Sequence, residues 1–402
     1  MEVQKILREA LALQPELCAI RRQIHRHPET GFDLPQTREL VRQELLRMGY
    51  EPQACGRCGL TALVGKTDTG RTILLRADMD ALPVEEQAEV DYKSEIPGKM
   101  HGCGHDMHTA MLLGAARLLK EHESELAGQV KLMFQPAEEI FQGAADMIEA
   151  GVLEEPKVNA AMMIHVVPSL PLKSGTVLVP AAGSGTASCQ QFRIVLQGKG
   201  GHGAMPHLAV DPITAAAHIH LALQEINSRE LAPDELGVIT TGIFRGGEAS
   251  NIIPDSVEMR GTIRTADVQV NKRIKTRISE ISQGVGGALR TKVTVEFFDF
   301  CPPMLADSVL APWAMSCMQE LLGEDALSMA ALGGPKISGG SEDFAFVSCK
   351  VPTVGLFLST GSPAEGFAYA QHHPRAVFDD SVLYRGSAAY AYFAARWLQV
   401  EH

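Results

Sequence analysis

Apolar residues recur at helical spacing over residues 16–26 and 37–48, and Pro28, Gly31 and Pro35 interrupt the chain between them. This pattern predicts a helical N-terminal region. Beyond it come short apolar runs at 60–64, 72–77, 130–134, 160–166 and 176–179, which predict strands. Helical stretches, 110–121 among them, fall between several of these runs. Strands separated by helices at this spacing imply an α/β layer structure.

A second pattern starts near Ala187. Strand candidates at 190–197, 237–244, 257–265 and 292–300 are interleaved with helix candidates at 211–227 and 267–289. The order β-α-β-β-α-β is that of a ferredoxin-like unit. The α/β pattern resumes after Pro302, with a helix at 310–322, a strand at 353–359 and a closing helix at 380–398. The expected organisation is a discontinuous α/β domain over 1–186 and 301–402, with a small α+β domain, 187–300, inserted into it.

Charge narrows the choice of partners. The 402 residues include 36 Lys+Arg against 48 Asp+Glu, a formal net charge of −12. Nucleic acid is not an expected partner, because phosphate binding needs a basic surface. No apolar run reaches the roughly 18 residues that a membrane helix requires. Residues 1–8 are mixed and charged. No membrane partner is expected, and the expected location is cytoplasmic with the eight cysteines reduced. Cys55 and Cys58 form a C-x-x-C pair, but no second pair follows at zinc-ribbon spacing, so they read as two loop thiols.

The densest chemistry lies in His101-Gly-Cys-Gly-His-Asp-Met-His108. Cys103 and His105 are two apart with glycine beside each, so both side chains can reach one point from a turning backbone. Thiolate, imidazole and carboxylate are the donors that zinc and related ions take. Glu138-Glu139 follows the strand candidate 130–134, where open α/β sheets carry their ligand sites. Adjacent carboxylates diverge, so one can bind metal while the other acts as a base. His165 closes the strand candidate 160–164, and His372-His373-Pro374 follows the strand 353–359; either alone is unspecific. Asp78 and Asp80 close the strand 72–77, where a cation or a histidine ligand explains two carboxylates better than structure alone. In the inserted domain, the glycine-rich segments ending at His202 and containing Asn251 have no phosphate-loop pattern.

Taken together and in order, these segments resemble the M20 metallopeptidase family, most closely its aminoacylase-like amidohydrolase branch. The similarity runs from Arg22-Gln-Ile-His-Arg-His-Pro-Glu29 through 76–83, 101–108, 135–139, 198–212, 251–255 and 340–344 to 372–374. It implies an α/β catalytic domain with a central mixed sheet and two divalent metals (Zn, Mn, Co or Ni), plus a lid domain that also mediates homodimerisation. By the same resemblance, Cys103, His105, Glu139, His165 and His372 match metal ligands, the family's His-x-Pro pattern selecting His372 over His373. Glu138 matches the general base, and Asp80 an Asp that supports the metal site. His202 matches a lid histidine that contacts the substrate carbonyl, often from the partner subunit, and Asn251 a substrate-binding asparagine. Arg260 and Arg264 are both candidates for holding a substrate carboxylate. Ala376 stands where relatives often carry an aromatic residue.

The expected activity is hydrolysis of N-acyl-L-amino acids by a metal-activated water, with Glu138 taking the proton and passing it to the leaving amine. A dipeptidase or aminopeptidase on the same scaffold is the alternative. A non-catalytic metal protein has no use for a spare carboxylate beside its ligands, and a thiol redox protein would depend on Cys55 and Cys58.

Overall fold

The computed structural model describes residues 1–66, 70–333 and 336–399. The chain divides into two compact units: Met1–Gly185, Leu305–Lys336 and Asp343–His402 form the first, and Thr186–Met304 with Ile337–Glu342 form the second. The segment Ile337–Glu342 thus groups with the inserted part of the chain.

The strands of the first unit are β1 (Gln53–Cys55), β2 (Gly59–Gly65), β3 (Thr72–Asp78), β4 (Gln129–Gln135), β5 (Ala160–Val167) and β6 (Val177–Val179), then, after the insertion, β11 (Ala326–Ser328) and β12 (Thr353–Ser359). The second unit holds β7 (Cys189–Gln197), β8 (Gly237–Arg245), β9 (Ser256–Thr265) and β10 (Lys292–Cys301). The principal helices are α1 (Val3–Arg26), α2 (Pro35–Arg47), α3 (His105–Glu121), α4 (Gly143–Glu149), α5 (Pro212–Ala222), α6 (Val268–Ala288), α7 (Leu310–Leu322) and α8 (Leu383–Gln399).

In the first unit the sheet order is β1-β2-β4-β3-β5-β12-β6-β11. The four central strands β4, β3, β5 and β12 run parallel, while β1, β2 and the β12–β6 pairing are antiparallel, so the sheet is mixed. Every residue of β3 and β4 is buried, which explains why they read as continuous apolar runs rather than alternating ones. α3 and α8 pack against β3 and β5, and α1 packs on both helices.

α1 begins at Val3, well before the predicted start, with Pro15 inside it. The Pro15 ring faces solvent, while Ile6, Ala10, Leu17, Ile20 and Ile24 pack into the core. That burial keeps the helix continuous through a residue that removes one hydrogen bond. α3 starts at His105, so its first turn carries part of the segment 101–108.

The second unit has the ferredoxin-like order β8-β9-β7-β10, all antiparallel. Phe192, Ile194 and Leu196 alternate inward from β7 against Ile219 of α5 and Ile274 and Ile278 of α6. Asp211 and Asp267 cap the two helices through their carboxylates. The predicted helix 211–227 stops at Ala222, and Ile226–Glu230 forms a separate wider-wound turn, tied by the Asn227 amide to the Gly237 carbonyl.

Candidate metal centre and active site

The carboxyl ends of β3, β4 and β5 come together because Asp78 is in register with Gln135, and Arg76 with Met163. The loops leaving these ends carry Asp80 and Glu138-Glu139, and His165 lies near the end of β5. Cys103 and His105 arrive at the start of α3. Gly104 between them has φ +88°, and a Cβ there would meet Val166 Cγ2 at 2.3 Å, so only glycine lets the helix begin this close to β5. A side chain at Gly143 would lie 1.6 Å from the Pro136 carbonyl, which keeps the turn carrying the two glutamates tight.

Five donors converge. Cys103 Sγ lies 3.6 Å from His165 Nε2 and 3.3 Å from His372 Nε2. Glu139 Oε1 lies 3.5 Å from His372 Nε2 and 3.8 Å from His105 Nε2. Two triads, Cys103–His105–His165 and Cys103–Glu139–His372, each have their donor atoms within 4.8 Å of one another and share the thiol. His105, Glu138 and Glu139 form a third such group. His372 adopts φ +64° to reach the cluster, whereas the neighbouring His373 turns away and stacks on Tyr369.

The histidine tautomers follow from their partners. His105 Nδ1 donates to the Asp80 carbonyl at 2.8 Å, and His165 Nδ1 to the Val166 carbonyl at 2.8 Å. Each therefore turns Nε2 toward the cluster. His108 is different. Its Nε2 accepts the Val166 N–H at 2.8 Å and its Nδ1 donates to Asp78 at 2.5 Å, so both nitrogens are committed. Burial pushes the His108 imidazolium pKa down to about 3, leaving a neutral ring. His101 is buried as well, with neither nitrogen hydrogen-bonded and its pKa pushed by burial to about 3.

The electrostatics call for a cation. Burial raises the Cys103 thiol well above its usual value, and the Glu139 charge adds to the effect. Burial, with Asp80 and Asp78 nearby, raises the Glu139 carboxyl to about 7 against the opposing pull of His105. Burial opposes charge on His105 most strongly, yet Asp78 and the hydrogen bond to Asp80 raise it well above the usual imidazole range. His105 Nε2 and Glu139 Oε1 are buried without a hydrogen-bond partner. Two orphaned donors beside a thiol, two further imidazoles and a carboxylate fit divalent metal of the Zn, Mn, Co or Ni type.

Asp80 acts through two groups at once. Its carbonyl fixes His105, and its carboxylate accepts the N–H groups of Glu138 at 3.0 Å and Glu139 at 3.2 Å. Beside the cluster lies a buried charge chain of which Asp78 stands out in the sequence, while Arg76 and Asp343 do not. Arg76 pairs with Asp78 at 2.8 Å and with Asp343 at 3.2 Å. An arginine inside the apolar run 72–77 was the available signal. Gln371, beside His372, donates to the Val166 carbonyl at 3.2 Å, and nothing local in the sequence marks it. The segment 22–29 proves structural: His25 bridges Asp106 and Glu86, and Glu29 caps α2 through the Gln36 and Thr37 N–H groups.

The remaining predicted residues lie in the second unit. His202 pairs with Ile252 in a two-residue bridge, and Gly203 N–H donates to the Asn251 carbonyl at 2.8 Å, so His202 and Asn251 sit together and exposed. Arg260 is paired with Glu258 at 2.8 Å. Arg264, half-buried, donates to the Ser341 hydroxyl. Cys55 and Cys58 flank the β1–β2 turn, and burial raises both thiols, Cys58 to about 11. Neither joins a metal-type donor cluster among the described residues.

Residues 74–396 match the model of peptidase family M20/M25/M40. IAA-amino acid hydrolase ILR1-like 4 of Arabidopsis thaliana is 39% identical over 394 residues, 95% of this chain and 86% of that relative. N-acetyl-L-cysteine deacetylase of Bacillus subtilis is 35% identical over 379 residues, 93% of this chain and 86% of that relative. The crystal structure of Bacillus subtilis YXEP protein, described as a dinuclear metal binding peptidase from the M20 family, superposes with a TM-score of 0.79 at 30% identity over 96% of this chain and 99% of that one. Among the described residues no helix is long and apolar enough to cross a membrane. The chain belongs to peptidase family M20/M25/M40, in its aminoacylase-like amidohydrolase branch, and is a metal-dependent hydrolase of amide bonds.

Proposed function

We propose that this protein hydrolyses the amide bond of N-acyl-L-amino acids, with Glu138 as general base beside two divalent ions. The sharing of Cys103 between the triads Cys103–His105–His165 and Cys103–Glu139–His372 supports this reading most directly. His105, His165 and His372 would hold the ions through imidazole, Glu139 through its carboxylate and Cys103 through its thiolate. Ions held there supply Lewis acidity to the substrate carbonyl and acidify a water to near neutral pH.

Glu138 takes the proton from the attacking water and returns it to the leaving amine. His202 donates to the developing oxyanion, a contribution of about 3 kcal/mol. Asn251 binds substrate beside it. Of the two candidate arginines we assign Arg264 to the substrate carboxylate, because Arg260 is paired with Glu258 while Arg264 meets, among the described residues, the Ser341 hydroxyl and no carboxylate. The acyl-amino acid class is supported by relatives named for an IAA-amino acid and for N-acetyl-L-cysteine. The second unit is the lid and the homodimer contact in this reading. Eight free thiols fit a reducing, cytoplasmic setting.

The test is release of free amine from a panel of N-acyl-amino acids and dipeptides, using metal-stripped protein with Zn, Mn, Co or Ni restored. Metal-dependent cleavage of acyl-amino acids is expected. Dipeptides belong in the panel because YXEP is described as a peptidase, and cleavage of dipeptides alone would transfer the assignment to that class.

A further inference from the structure

We infer that Asp343 is a positioning residue that aims the general base, acting through its own backbone N–H. The inference rests on the assignment of Glu138 above. Asp343 N–H donates to Glu138 Oε1 at 3.3 Å, inside the first unit. A backbone donor can hold a catalytic carboxylate only if the backbone itself is held, and here the Asp343 side chain does that.

Its Oδ1 accepts from Gln135 Nε2 at 2.6 Å and from Arg76 Nη2 at 3.2 Å. Its Oδ2 accepts the Ala144 N–H at 2.9 Å, in the first turn of α4. Arg76 is anchored in turn by Asp78 at 2.8 Å and by Gln135 Oε1 at 2.8 Å. Arg76, Asp78, Gln135 and Asp343 are all at most 1% exposed. Each of these bonds is therefore made in a low-dielectric interior, where misalignment is costly.

The placement gives this clamp a specific task. The chain passes from the second unit back to the first between Glu342 and Asp343. Two residues earlier Ser341 is held within the second unit by Arg264 and by the Ala187 carbonyl. The Asp343 carboxylate fastens the re-entering backbone to the ends of β3 and β4, and the amide beside it then points at Glu138. Asp80 holds the main chain of Glu138, and Asp343 holds the carboxylate. The two constraints together define where the base can reach.

Steady-state kinetics and metal content of holoenzyme variants test this. D343A is expected to lower kcat by roughly 10–100-fold, the size of loss that a misplaced catalytic group produces. KM and the two bound metals should stay within about twofold of the parent values. D343N keeps an acceptor for Gln135 and Arg76 and should recover part of the loss. In an E138D background, where the carboxylate is already displaced, D343A should cost less than about threefold, because the two residues act through one group. E138Q, measured alongside, reports on the base itself: full activity there removes the general-base reading, whatever Asp343 does. With E138Q inactive, wild-type kcat in D343A, or losses that multiply fully with E138D, or loss of metal in step with loss of kcat, would each overturn the inference. If D343A does not fold, D343N alone decides: a fall in kcat with metal retained supports it, and an unchanged kcat refutes it.

Discussion

The carboxylate of Asp80 accepts the backbone N–H of Glu139 at 3.2 Å and that of Glu138 at 3.0 Å, while the Asp80 carbonyl holds His105 at 2.8 Å. One residue thus links His105 on α3, a proposed ligand, to the turn that bears Glu139 and Glu138, the proposed carboxylate ligand and base. Asp80→Ala should cut metal affinity by about 10–100-fold, the usual range for lost support of ligands. Competition against a chelator with a known constant checks it, and unchanged affinity would show that the turn holds itself.

Cys103 is the donor common to both triads. Cys103→Ser should reduce retained metal after dialysis from two ions per chain toward one or none. In cobalt-loaded protein it should abolish the thiolate-to-metal charge-transfer absorption. A persistent band in the variant would place the thiolate elsewhere.

Metal binding should be strongly pH-dependent. Burial holds the Cys103 thiol protonated and lifts Glu139 to about 7, and these protons, with the one held on His105, must leave before metal enters. Apparent affinity should therefore rise with pH through neutrality. Calorimetry in buffers of different ionisation enthalpy should show more than one proton released. The sign for stability is the reverse. Between 4.5 and about 7 the folded metal-free protein holds a proton on Glu139 that the unfolded chain has lost, so stability falls as pH rises across that window. Glu139→Gln should flatten this part of the Tm-against-pH curve, and an unaltered slope would assign it to other groups.

His108 looks like a ligand in sequence but has both nitrogens in use. His108→Ala should destabilise the fold by about 2–4 kcal/mol, since it strands a buried N–H and a carboxylate oxygen. Two metals per chain should still bind at saturating metal. Loss of one ion would make His108 a ligand after all.

Arg260 and Arg264 differ in their partners, a carboxylate for the first and a hydroxyl for the second. Arg264→Ala should raise KM for acyl-amino acids at least tenfold, the effect of losing about 1.4 kcal/mol of binding. Arg260→Ala should leave KM within about twofold. Equal effects would undo the assignment.

Much of this was legible from residues alone. The apolar runs located β2 to β5 and β12, and the period change at Ala187 located the ferredoxin-like unit, because buried strands and amphipathic helices impose different spacings. The crowding of His, Cys and acidic residues at 101–108 and 138–139 drew attention to the segments that the fold brings into one donor cluster. Spacing could not sort that crowd. His101, Cys103, His105 and His108 all offer donors on paper, and only the fold commits His108 to Asp78 and Val166 while leaving Nε2 of His105 without a hydrogen bond. Nor could it connect Asp343 to Glu138, 205 positions away, or reveal that Arg76 inside a strand is balanced both by Asp78 on the same strand and by Asp343 from a distant segment. Local sequence sets periodicity and donor type. Which lone pair is free, and which charge is neutralised, depends on atoms brought within a few ångströms by long-range packing, and that is a property of the tertiary structure alone.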